Sequence, residues 1–353
     1  MNKSTSLYLD FLRVIAAFGV VLVHANLQWF SNNLFLRPEL GHKLVMVFFV
    51  LSGYLIAFTV DKKNKGSKIY LIDRFSRLYS VVLPALLFTY LIDFLGRRIN
   101  PGFYVDKINL DHQLMRFLLN FAYLQQVWTL CTKPSTNTPF WSISYEFWYY
   151  MMFWVVCYFN GLKRYLGIAI LVLVVGLKIL LLLPVWFLGV LAYKFSGKML
   201  VNARQARVIF TVTLLAIIGL TFFKDITFFE DKLPYGKAPL YFSSQFLFDW
   251  GYGIIIALNI YSFNASAFLN EIPPTLDRPI KYLSSITFTL YLFHIPMLYF
   301  IAATVPYDRS SYLQIVPILI GVVFVVNLFA IITEKQRARF KQLIEKLFNV
   351  FAH

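Results

Sequence analysis

The sequence predicts an all-α fold, a polytopic membrane helical bundle of about 10 transmembrane helices with both termini cytoplasmic. Three observations predict it. Of 353 residues, 59% are hydrophobic and 14% charged, whereas a soluble domain is about one quarter charged. The apolar residues fall in runs close to the roughly 20 residues that a helix rising 1.5 Å per residue needs to cross about 30 Å of hydrocarbon. The 33 Lys and Arg against 17 Asp and Glu leave a net charge of +16, and these cations cluster in alternate connections.

Apolar runs bounded by charge, Pro or Gly place helices at 8–26, 43–61, 79–96, 140–159, 164–182, 184–195, 207–223, 246–262, 284–303 and 312–332. The first carries Asp10, Arg13 and His24 and lacks a small-residue cleavage site, so it reads as a retained span and not a signal peptide. The sixth is short and opens at Pro184, which reads as half of a broken helix. With a cytoplasmic N-terminus, 20 of the 33 basic residues fall in inner segments and 11 in outer ones, while Arg13 and Lys178 lie within helices. That bias orients the chain with both ends inside. It also explains the charge as topology and attraction to anionic membrane lipids, with no nucleic acid partner. Residues 1–340 form the membrane domain and 341–353 a short cytoplasmic tail. Two outer connections, 97–139 and 224–245, are long, as working loops often are. Cys131 and Cys157 form neither a disulfide framework nor a metal pair.

Charges inside apolar helices are costly and face the bundle interior. Arg13 and His24 are 11 positions apart, which returns them to within about 20° of one face, about 16 Å apart along the axis. Asp10 sits three residues before Arg13, so a neutralised intrahelical pair is one reading of that arginine and a ligand-facing cation the other. For His24 the alternatives are a structural hydrogen bond to a neighbouring helix and a general base. In FWSISYEFWYY, Glu146 shares a helix face with Ser142, Tyr149 and Tyr150, at a depth matching His24. A histidine and a carboxylate at one depth suit deprotonation of a hydroxyl, or a fixed ion pair. Arg74 and Arg77, three apart at the inner mouth, present two guanidinium forks suited to phosphate or carboxylate. An anchor to anionic lipid heads is the simpler alternative. Ser52 and Gly53 in FFVLSGYLI read as a close helix contact. His294, before Pro296, reads as a satisfied core histidine or a second wall of the site. His42, His112 and His353 fall in connections or the tail without ligand spacing, and neither a zinc site nor a phosphate-binding glycine loop is present.

The strings LDFLRVIAAFGVVLVHA, FFVLSGYLI, RFSRLYSVVLPALL, FWSISYEFWYY and YLFHIPML resemble, in order and spacing, the acyltransferase 3 family of integral membrane acyltransferases. The resemblance runs from the first predicted helix to the ninth. It maps the family's Arg, ten residues, His element onto Arg13 and His24, its paired arginines onto Arg74 and Arg77, and its WSLSVE string onto WSISYE with Glu146. It implies transfer of an acyl group, commonly acetyl, from cytoplasmic acyl-CoA to a hydroxyl of an extracytoplasmic glycan or lipid-linked glycan such as a surface polysaccharide or O-antigen, in a bacterial cytoplasmic membrane. It implies no bound cofactor, since acetyl-CoA is a donor substrate. Some members carry an SGNH hydrolase-like domain; with about twenty residues after the tenth helix, a stand-alone form is expected here. The family often has Glu-Glu where this chain has Glu146 and Phe147, and Leu-Asp-Gly where it has Leu9, Asp10 and Phe11.

On this reading Arg74 and Arg77, with Arg13, hold the donor phosphates, and Asp10, Ser142 and Tyr149 line the substrate path. His24, assisted by Glu146, deprotonates the acceptor or is itself acylated. A transporter or flippase of a lipid-linked sugar or acyl donor is the alternative function, and a non-catalytic scaffold a third.

Overall fold

The computed structural model describes residues 2–29, 38–63, 66–198, 200–222, 240–266, 274–306 and 312–350. These are mostly helical, with no strand among them. In chain order the helices are α1 (Lys3–Trp29), α2 (Pro38–Lys63), α3 (Ser67–Ile99), the short α4 (Pro101–Tyr104) and α5 (Gln113–Phe121), α6 (Trp141–Tyr158), α7 (Gly161–Val175), α8 (Leu177–Ser196), α9 (Ala203–Phe222), α10 (Phe246–Ser266), α11 (Pro274–Ser284), α12 (Thr287–Thr304), α13 (Tyr312–Ile332) and α14 (Arg337–Val350). Eight segments among the described residues are long and apolar enough to span a membrane: α1, α2, α3, α8, α9, α10, α12 and the stretch Gln314–Asn349 that contains most of α13. The other two predicted spans, α6 and α7, are also helices. Serines, tyrosines, tryptophans and Glu146 dilute the apolar character of α6, and the 15 residues of α7 reach only about 22 Å.

The break expected at Pro184 lies elsewhere. Pro184 sits inside the continuous 20-residue α8, and the chain turns at Gly176, whose φ of 75° is the left-handed conformation that glycine adopts without strain. Segment 184–195 is therefore part of a full-length span. The predicted outer connection 224–245 falls largely outside the described residues. By contrast, 97–139 is tied down: Asn137 Nδ2 donates to Leu292 O at 2.7 Å and Thr89 Oγ1 at 3.0 Å, and Asp93 accepts from the backbone N–H and hydroxyl of Thr136. The boundary drawn at 340/341 lies inside α14, which packs along α3.

The described residues divide into two compact units, one drawn from 1–20, 34–64 and 175–285 and the other from 21–33, 65–174 and 286–353. In the first, α2 packs on α8, and α8 and α9 pack on α10. The α2–α8 contact is made by backbone. A Cβ added to Gly53 would lie 2.0 Å from the Trp186 carbonyl oxygen, and one added to Gly189 would lie 1.9 Å from that of Val50. Trp186 Nε1 donates to Ser52 Oγ at 3.2 Å across the same seam. The close contact read from Ser52 and Gly53 is thus present, and Gly189 is its other half. In the second unit α3 is the spine, with α6, α12 and α14 against it and a Phe88, Phe293 and Phe329 cluster at centroid spacings of 4.8–5.0 Å.

Gly189→Ala should lower the melting temperature of the purified protein sharply, since a methyl against backbone costs about 2 kcal/mol or more. Gly219→Ala, which meets nothing within 4 Å, should leave it unchanged or raise it.

Candidate active site

Histidine chemistry in this chain is decided by one hydrogen-bonded line within the second unit. His294 is fully buried on α12. Its Nδ1 lies 3.1 Å from Leu290 O, one turn back, and its Nε2 lies 2.9 Å from His24 Nδ1. A backbone carbonyl only accepts, so His294 Nδ1 carries the proton and its Nε2 is the acceptor. His24 Nδ1 must then donate. This fixes the neutral tautomer of His24 with a lone pair on Nε2, the form a general base needs. From the sequence His24 reads as a structural hydrogen bond to a neighbouring helix or a general base, and His294 as a core histidine or second wall; the hydrogen bond to a neighbouring helix is present. The structure joins them, with His294 orienting His24.

Within the same unit, α6 supplies hydroxyls and a carboxylate. The Ser142 and Tyr291 hydroxyls are 2.9 Å apart, and both lie 3.2 Å from Pro139 O. Tyr291 is three residues before His294, and their rings are 6.1 Å apart. Glu146, half-buried, accepts a hydrogen bond from Tyr150 and lies within electrostatic reach of Arg77 and Tyr291. Tyr149, in contrast, is fully buried with its ring edge toward Tyr145. Of the two tyrosines placed on the Glu146 face, Tyr150 donates to its carboxylate. Phe147 stacks on Tyr123 with centroids 4.4 Å apart and an interplanar angle of 16°, and faces Phe75 at 6.0 Å. Burial raises the phenol of Tyr123 well above its usual range, so this pocket disfavours charge where the family often has a second glutamate.

Both predicted arginines stand on α3. Arg74 is 7% exposed, with its guanidinium carbon 5.8 Å from the Tyr70 ring centre and 5.7 Å from that of Tyr150, a cation held between two aromatic faces. Its Nε is buried without a hydrogen-bond partner among the described residues. Arg77, half-buried, is one turn further on. Tyr150 therefore links the Glu146 carboxylate to the arginine pair.

Asp10 and Arg13 lie in the first unit, where the intrahelical pair is present. Arg13 Nη1 is 3.6 Å from Asp10 Oδ1 and 3.3 Å from Ser284 Oγ, which itself donates to Asp10 at 2.7 Å. His42 belongs to α2 and not to a connection, because that helix begins at Pro38; its Nε2 is 3.0 Å from both carboxylate oxygens of the fully buried Asp249. His112 is exposed on the 97–139 connection, and His353 lies outside the described residues. No group of three or more His, Cys, Asp or Glu among the described residues is arranged to hold a metal ion.

A family model described as an acyltransferase domain matches residues 6–334. The chain belongs to the acyltransferase 3 family. It is 36% identical over 81 residues to the O-acetyltransferase OatA of Staphylococcus aureus, in strains NCTC 8325 / PS 47, COL and MRSA252. That stretch covers 23% of this chain and 12% of each relative, so the chain spans about an eighth of the length of the curated relatives it matches. No solved structure matches it. The chain is a polytopic helical membrane protein of that family.

Phe147→Glu, which restores the family's second carboxylate, should lower the melting temperature and not raise turnover, because it presses an unpaired charge against Tyr123 and Phe75. Thermal melts of wild type and variant in the same detergent check this.

Proposed function

We propose that this acyltransferase moves an acetyl group from cytoplasmic acetyl-CoA to a hydroxyl of an extracytoplasmic glycan, in the cytoplasmic membrane of a bacterium. The observation that carries the reading is the line from Leu290 O through His294 to His24, which leaves a lone pair on His24 Nε2. The acceptor hydroxyl gives its proton to that nitrogen as its oxygen attacks the thioester carbonyl. Collapse of the tetrahedral intermediate breaks the carbon–sulfur bond, and the CoA thiolate takes the proton back from His24. His294 is a positioning residue that holds the base in one tautomer. Arg74 and Arg77 receive the donor's phosphates as charge-assisted partners. Glu146, tied to Tyr150 and within reach of Arg77, sets the polarity beside them. Arg13, already engaged by Asp10 and Ser284, contributes least to the phosphates.

The test is purified protein in lipid nanodiscs with acetyl-labelled acetyl-CoA and glycan extracted from the producing cell. Label in the glycan is expected. Acceptor without label, together with passage of intact donor or lipid-linked sugar across the membrane, would establish the transporter reading instead. His24→Ala should reduce transfer by about 10²–10⁴-fold. His294→Gln should lower kcat, leave the KM for acetyl-CoA unchanged and shift the acid limb of the pH–rate profile. Wild-type kcat and an unmoved profile in His294→Gln would remove its positioning role.

A further inference from the structure

The segment that follows the family-matched residues is not a bystander at the arginine pair. The match ends at Glu334, and the next residues turn straight into α14. Glu334 Oε2 accepts from the backbone N–H of Thr289 at 3.2 Å and from its hydroxyl at 2.9 Å, while the Thr289 and Thr333 hydroxyls are 2.8 Å apart. The start of α14 is thereby clasped to the start of α12. From there α14 runs back along α3. Arg337 Nη2 donates to Asp73 O at 3.2 Å, Lys341 Nζ is 2.8 Å from Asp73 Oδ1, Phe348 faces Phe75 at 6.1 Å, and Lys68 Nζ donates to Asn349 Oδ1 at 2.8 Å. Apolar residues at 340, 343, 344, 347 and 348 recur at helical spacing, which accounts for the helix.

This packing sets the half-buried Arg337 beside Asp73, whose next neighbour in sequence is Arg74, and within electrostatic reach of both Arg74 and Arg77. Three guanidinium groups of like charge converge on one end of α3. The carboxylates around them are Asp73, occupied by Lys341; Glu334, occupied by Thr289; and Glu146, bonded to Tyr150. Lys341 is itself shared between Asp73 and Glu345, 4.0 Å away, so the three guanidinium groups meet carboxylates that other groups already engage. Like charges gathered in partly buried surroundings repel unless an anion joins them, and Arg74, more than nine-tenths buried, keeps its Nε without a partner.

We propose that Arg337 is the third member of a phosphate-binding cradle with Arg74 and Arg77, so that α14 completes the site for the phosphate-bearing end of the acyl-CoA donor. The inference rests on the donor assigned under Proposed function. The shared chemistry is a phosphate anion, which a CoA nucleotide or an anionic lipid headgroup can supply.

The experiment measures CoA affinity by calorimetry on the full chain in phosphatidylcholine nanodiscs and again with phosphatidylglycerol added. Arg337→Gln should weaken CoA binding about tenfold in both, the worth of one charge-assisted hydrogen bond, and leave the melting temperature without CoA unchanged. Arg337→Lys should recover part of the affinity, and Arg339→Gln, on the exposed side of α14, should bind as wild type does. Unchanged CoA affinity in Arg337→Gln would overturn the proposal. Equal losses in the Gln and Lys variants with a lowered melting temperature would overturn it in favour of a purely structural role. Competition by phosphatidylglycerol, with stabilisation by that lipid lost in Arg337→Gln while CoA affinity holds, would assign the cradle to lipid. If wild type itself binds no CoA, the donor assignment fails, a result distinct from all of these.

Discussion

Hydrocarbon offers no hydrogen bonds, so each polar group that a membrane helix carries must be met by another group of the protein. The arrangement of this chain follows from that constraint. In the first unit Asp10, Arg13 and Ser284 close on one another, His42 takes both oxygens of Asp249, and Asn259 is held by Tyr8 and Thr213. In the second, His24 and His294 satisfy each other, and Asn137 ties α3 to α12. A helix cannot rotate or slide without abandoning such partners, and each abandoned group would cost about 1–3 kcal/mol. The bond that packs His294 against His24 also sets the tautomer of His24.

How much of this was legible in the residues depends on the range of the interaction. The long apolar helices are visible because hydropathy is a local property. The Asp10–Arg13 pair was legible too, since three-residue spacing within one helix specifies it. Partners on distant helices were not. Nothing near His294 in sequence announces His24, 270 positions away, and nothing near Gly53 announces Gly189. Pro184 misled because a proline inside a helix disturbs it without ending it when packing holds the chain, whereas Gly176 ends one with a φ of 75°. The C-terminal helix was read as a tail because its mixed charge hides the residues that seat it on α3, Arg337 and Lys341 on Asp73 and Phe348 on Phe75.

The departure at position 147 has a local cause. Where the family often carries a second glutamate, this chain has Phe147 stacked on Tyr123, while Glu146 accepts a hydrogen bond from Tyr150 on the same helix. That hydroxyl belongs to the residue whose ring also covers Arg74. One tyrosine thus joins an acid on α6 to a cation on α3.

The glycine seam between α2 and α8 bears on how the chain assembles as it is inserted. Side chains interlock with some tolerance, but two backbones in direct apposition accept a single alignment. Sliding α8 by one residue would bring Leu188 or Val190 to the place where only the missing side chain of Gly189 fits against Val50. A segment delivered to the bilayer well after α2 therefore has one alignment in which it docks on it.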